Sequence, residues 1–311
     1  MLDTFLKSSR LGNLFILPLL LCATKAIMYY IEVEPISENN FYSSYGISIM
    51  LLIISFLMFN NYERYKLFRQ TTVLPTIIYL VMTLACLYKG DNNYILTSLL
   101  SLVLAFYCLR VSIEQLSSNV HLYNFGLFGS IAILINPELL LLYIWMFYVS
   151  CAIGRTTGKD FVALLLGCLT PIFFYSVYLF GIDNLESTFN TYLNVVNSTF
   201  EVDNVVITTE EVVFCIIIAI LLIIGTVTKS SINNNFIISH RFELNSYVSL
   251  LPFLIVICII YPSIRHDVWY IFAYPLSVLS ALTLILKKNK IINTTIVVLI
   301  ILSTLYTFLF V

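Results

Sequence analysis

Charge is scarce in this sequence. Of its 311 residues, 11% are Asp, Glu, Lys or Arg, against about 25% in an ordinary soluble domain. So few charges leave too little polar surface to cover a water-soluble globule of this size, which excludes a soluble enzyme and a disordered tail. Basic and acidic residues nearly balance, 16 against 17, so no cationic excess is left to hold a nucleic acid. Catalytic motifs are missing too. No Walker A sequence, HExxH, GxSxG or histidine pair occurs, which leaves ATP-driven transport, zinc proteolysis and serine hydrolysis without support. The seven cysteines all lie in apolar runs with no CxxC pair among them, and read as small buried hydrophobes rather than ligands. No A-x-A-like cleavage site follows the first apolar run, which is therefore expected to persist as a membrane helix. The two halves also lack the paired, Gly/Pro-interrupted spans of inverted-repeat transporters.

Apolar residues fill the space: 60% of the chain is hydrophobic and 15% aromatic, with a mean hydropathy of +0.95. Apolar runs fall near 11–31, 45–61, 72–88, 94–112, 122–136, 138–154, 161–181, 212–228, 247–263, 269–287 and 291–311. At about 20 residues per crossing, these predict an all-α integral membrane protein, one polytopic bundle over 1–311 with about eleven transmembrane helices. The fifth and sixth runs are parted only by Asn136-Pro137, so a broken or re-entrant pair is the alternative there.

Basic residues set the orientation. With the N-terminus in the cytoplasm, 13 of the 16 lysines and arginines fall inside, Lys89 and Arg265 outside, and Lys25 within the first span. The expected topology is N-in and C-out, in a bacterial inner membrane. Glu32, Glu34, Glu38, Glu138, Asp183, Glu186 and most other acidic residues then face outward. The one long outer loop, from about Ile182 to Glu211, contains a stretch near 184–200 that spaces Leu185, Phe189, Tyr192, Leu193, Val196 and Phe200 at three and four residues. That pattern predicts an amphipathic helix lying on the outer leaflet.

Ionisable residues inside a membrane point to function. Lys25 lies about six residues, or roughly 9 Å, below the outer end of the first span. Glu32 stands two helical turns above it on the same face, and the following loop holds three carboxylates, Glu32, Glu34 and Glu38. Such a cluster supplies a general base or a divalent-cation site. A second outer group is Arg265-His266-Asp267 with Trp269, Tyr270 and Tyr274; a guanidinium at headgroup level suits a lipid phosphate. Glu138 reads as a helix-start carboxylate. Arg110 reads as a snorkelling residue with an i,i+4 partner in Glu114, and His121 and His240 as interfacial.

The segment His121-Leu-Tyr-Asn-Phe-Gly-Leu-Phe-Gly-Ser-Ile-Ala-Ile-Leu-Ile-Asn-Pro137, the basic turn at Arg155 and Lys159, the Gly167-Cys-Leu-Thr-Pro171 stretch and the opening Phe5–Phe15 resemble an uncharacterised family of multi-pass inner-membrane proteins of Bacteroidota. More loosely, the acidic first outer loop and the Arg265–Tyr270 loop resemble the C-type-fold glycosyltransferases that use polyprenyl-phosphate sugars, although the paired acidic motif of that class is absent. That resemblance implies catalysis by Glu34 or Glu32 and lipid-phosphate binding by Arg265, which Lys25 and Tyr270 are expected to assist. It also implies a lipid-linked sugar partner, with a divalent cation as the one cofactor considered. The rival expectations are a non-catalytic scaffold in an envelope assembly with protein partners, and a transporter or flippase.

Overall fold

Helix is the only regular structure in the described part of this chain, and the solvent explains why. Hydrocarbon offers no partners to backbone N–H and C=O groups, so a spanning segment must bond internally. The computed structural model describes residues 53–58, 73–83, 93–115, 118–198, 209–232, 237–261, 265–286 and 290–310; the runs predicted at 11–31 and most of 45–61 lie outside them. Within them, α1 is Leu74–Met82, α2 Asn93–Glu114, α3 Val120–Ile135, α4 Leu142–Ala152, α5 Gly158–Gly181, α6 Leu185–Ser198, α7 Thr209–Ile232, α8 Ile238–Ile260, α9 Arg265–Leu286 and α10 Lys290–Phe310. A short 3₁₀ segment, Pro137–Leu141, leads into α4. Among the described residues, four helices are long and apolar enough to cross a membrane, in α2, α5, α8 and α9. The described residues are those of a helical membrane protein.

Most helix bounds lie within a few residues of the apolar runs. The exception is α8, which starts nine residues before the run at 247–263 and takes in His240, Arg241 and Glu243. The break at Asn136-Pro137 is where the sequence puts it. Asn136 is extended, and α3 and α4 are separate helices that pack against each other.

The chain divides into two compact units. One unit holds 97–206 and 237–268. Its centre is aromatic: Phe106 of α2 stacks on Tyr247 of α8 at 4.8 Å and packs at 5.3 Å on Trp145 of α4, which meets Phe125 of α3 edge-on at 5.9 Å. The buried Trp145 indole donates to Ser249 Oγ at 3.1 Å, so the polar edge of that ring is satisfied. Helices α3 and α5 approach until backbone meets backbone. A methyl group on Gly126 would stand 2.6 Å from the Leu164 carbonyl oxygen, and one on Gly167 would collide with the Tyr123 carbonyl. Small residues permit such contact between membrane helices, and hydroxyls add to it. Ser130 donates to the Cys168 carbonyl at 2.8 Å, and Tyr123 to Thr170 at 3.0 Å. Only 22% of the most apolar window of α5 is buried, so its outer face, with Leu166, Leu169, Phe173, Phe174 and Val177, is exposed and meets lipid.

The other unit holds the described residues up to Leu96, 207–236 and 269–311. Here α10 packs on α1 and α7. Trp269 of α9 donates to the Met82 carbonyl at the end of α1, and Gly225 of α7 lies close against Leu279 of α9. The buried hydroxyls of α9 bond backward along their own helix: Ser277 to Tyr274, Ser280 to Leu276 and Thr283 to Ser280. Polar side chains are thus carried inside without needing a partner helix.

The α3–α5 contact gives a direct test. Gly167→Ala should lower stability by about 1–3 kcal/mol through overpacking against backbone. Gly181→Ala, with nothing within 4 Å of the added methyl, should stay within about 0.5 kcal/mol of wild type. Thermal unfolding of both proteins in the same detergent decides it.

Candidate functional site

The residues that the sequence marks for chemistry are distributed unevenly over the structure. Lys25, Glu32 and Glu34 lie outside the described residues. Arg265 opens α9, where the backbone alone is described, and Tyr270 stands a little over one turn further on, fully buried in the same helix. Among the described residues, no group of three or more His, Cys, Asp and Glu gathers into a cation site. The carboxylates of the first outer loop, where the sequence puts such an ion, are not among them.

What the structure does assemble is a sealed charged cluster where α2 ends and α8 begins. Arg110, in the last turn and a half of α2, is 1% exposed and Glu243 of α8 is 3% exposed. Arg110 Nη1 donates to Glu243 Oε2 and, at 3.5 Å, to the Ser239 carbonyl. Its Nη2 reaches Glu114 Oε1 at 3.3 Å and His240 Nδ1 at 3.1 Å. A guanidinium only donates, so Nδ1 accepts, and His240 is the neutral tautomer carrying its proton on Nε2. The i,i+4 pairing of Arg110 with Glu114 is therefore present, but the expected snorkelling is not. Arg110 turns inward because Glu243 offers it a buried counter-charge. His240, expected at the interface, is 9% exposed for the same reason. His121 does lie at the surface, bonded to Gln115.

Sequence reasoning missed Glu243, since hydropathy starts the ninth run only after the polar residues of 238–246. One signal was available: His240 and Glu243 are three residues apart, which puts them on one helical face.

A second buried arginine closes the same end of this unit. Arg155 donates to the carbonyls of Ser112, Gln115 and Ser118 at 2.7–3.0 Å and to Asp160 Oδ1 at 3.3 Å. It thereby satisfies carbonyls at and beyond the α2 terminus, which have no helical partner. The other oxygen of Asp160 takes the Thr157 amide and hydroxyl, completing the capping box that starts α5. Every oxygen of that carboxylate is engaged, and its role is structural.

At the opposite end of the unit, α6 is the helix predicted near 184–200. Thr188 and Tyr192 turn toward the protein, and the Tyr192 hydroxyl donates to the Leu134 carbonyl at 2.6 Å. Leu185, Phe189 and Leu193, spaced every four residues, are exposed. Burial first, then the neighbouring Tyr175, raises the Tyr192 phenol above its ordinary pKa. Burial and the nearby Glu138 do the same to Tyr261 at the end of α8. Both phenols therefore stay protonated at neutral pH, and that of Tyr192 donates a hydrogen bond. Glu138 itself occupies the first turn of the 3₁₀ segment, as a helix-start carboxylate should.

No protein family, no curated protein and no solved structure matches this chain.

The Arg110–Glu243 pair has an energetic signature. Arg110→Met leaves a buried carboxylate without its counter-charge and should cost about 3–5 kcal/mol, whereas Arg110→Met with Glu243→Leu should recover most of the loss. Unfolding midpoints of the two proteins in lipid nanodiscs provide the check.

Proposed function

We propose that this protein is a multi-pass component of a bacterial inner membrane, N-in and C-out with about eleven spans. On this reading it binds a lipid-linked, phosphate-bearing sugar at the outer face and takes part in its transfer. The observation that carries the reading is α6. An amphipathic helix that lay apolar side down on the bundle would simply shield it. Here Leu185, Phe189 and Leu193 of the apolar stripe are exposed instead, and Tyr192, at the edge of the same stripe, ties the helix to the end of α3. A helix mounted this way faces the leaflet and forms a rim, beside Glu138 and Tyr261, past which a lipid headgroup can approach. Glu34 or Glu32 acts as base or cation ligand, and Arg265 with Lys25 holds the lipid phosphate. Tyr270, enclosed in α9, is left to packing.

A second reading, transport or flipping of an amphipathic solute, is favoured by one feature: three ionisable groups, Arg110, Glu243 and His240, are sealed inside a membrane bundle, where such groups commonly mark ion or substrate pathways.

Spin labels on Phe189 and Leu193 should report contact with lipid, and labels on Asn190 and Asn194 contact with water. Equal water exposure at all four positions removes the rim. For the chemistry, Glu34→Gln should preserve substrate binding and lower turnover by roughly 10²–10⁴, while Arg265→Ala should weaken binding by about 2 kcal/mol. Envelope and lipid-linked glycans are compared between these strains and a deletion. A deletion that changes no glycan overturns the transfer reading in favour of a scaffold or transporter.

A further inference from the structure

The two buried arginines of this unit are built differently. Arg155 meets a carboxylate whose oxygens are both engaged, Oδ1 by the guanidinium and Oδ2 by Thr157. Glu243 is enclosed just as completely, yet only its Oε2 is bonded, to Arg110; Oε1 is buried and receives no hydrogen bond from any described group. A buried carboxylate oxygen with an open lone pair is costly in a pair that serves structure alone. It is also where a carboxylic acid carries its proton.

Charge counting agrees. The charged groups acting on Glu243 are Arg110 and Glu114 of α2, with the neutral His240 one turn before it on α8. Helix α4, which packs against α8, carries no charged residue. The 3₁₀ segment also contacts α8, but its Glu138 lies by Tyr261 at the far end. One positive and two negative charges leave the cluster one unit negative with both acids ionised. A single proton brings it to neutrality.

We propose that Glu243 and His240 form a one-proton site, and that its occupancy controls the Arg110 latch between α2 and α8. In the protonation step, hydronium entering past Glu114, which is 40% exposed, gives its proton to Glu243 Oε1. Carboxylate becomes carboxylic acid, and water is left. A proton arriving on His240 Nδ1 instead puts two donors face to face and displaces Arg110 Nη2. In either seat the hold of α8 on Arg110 weakens. The guanidinium then keeps Glu114, one turn along its own helix and already at 3.3 Å. The site stands apart from the lipid-substrate reading, since its readouts need no substrate.

Full-length protein in lipid nanodiscs is titrated by infrared difference spectroscopy. A carboxylic-acid C=O band should grow on acidification within about pH 5–8, the range in which carboxyl–imidazole sites act as switches, and should be absent from Glu243→Gln. Glu114→Gln keeps the buried pair, so it serves if Glu243→Gln does not fold. Its band should persist but need stronger acid, because one neighbouring negative charge is gone. In parallel, nitroxide labels on the exposed Gln115, directly after α2, and Ile238, at the start of α8, follow the latch. Their distance distribution should broaden on acidification, and should be broad at every pH in Glu243→Gln. A carboxylic-acid band that survives in Glu243→Gln, neither a carboxylic-acid nor an imidazolium band titrating in wild type, or a band that Glu114→Gln leaves unmoved overturns the proton site. A label distance indifferent to pH overturns the latch.

Discussion

A backbone amide in hydrocarbon has no bonding partner except its own chain, and the described structure follows from that constraint. It explains why the elements are helices and why buried serines and threonines of α9 fold back on carbonyls three or four residues behind. It also explains why the weak points are helix ends, where four carbonyls or four amides lose their partners. The end of α2 is the clearest case. Its carbonyls would be stranded where the chain turns into α3, and Arg155 meets three of them at once with a group that cannot lose its charge. The same arginine reaches Asp160, which caps α5. One side chain thus ties two helix termini together.

Packing in such a solvent gains little from exclusion of water, because a neighbouring lipid tail is as apolar as a leucine. Close approach and polar contacts decide instead. The α3–α5 pair shows this most directly, with Gly126 and Gly167 letting backbones touch while Ser130 and Tyr123 bond across the seam. Once that seam is closed, the remaining surface of α5 is free to be large and apolar. Only at the aromatic centre around Trp145 does the unit resemble a soluble core, and there the indole nitrogen still finds Ser249.

Against this background the Arg110 cluster is the exception, since charge in an apolar interior is expensive unless fully paired. Two buried ionisable groups, Glu243 and His240, and the half-exposed Glu114 share one guanidinium. The arrangement joins α2 to α8 through electrostatics where α3 and α5 rely on shape. A joint of that kind responds to charge, whereas a glycine seam does not.

The class of structure was legible in the chain alone. Low charge and long apolar runs dictate membrane helices, the proline at 137 dictates a break, and three- and four-residue spacing marks α6 as amphipathic. These are local properties, set by the solvent and by backbone geometry within a turn or two. Of the candidate outer residues, Lys25 and Arg265 were legible as exceptions to the charge pattern, and Glu32 and Glu34 as members of an acidic loop. What the sequence did not reveal was the fate of the polar residues at the start of α8. Hydropathy leaves His240, Arg241 and Glu243 outside the span that it starts at 247, because it prices each charge as if it stood alone. Whether a buried charge is tolerable depends on its partner, and the partner of Glu243 lies 133 residues earlier in the chain. The tertiary structure brought Arg110 to it, because pairing across that distance lowers the cost of burial for both.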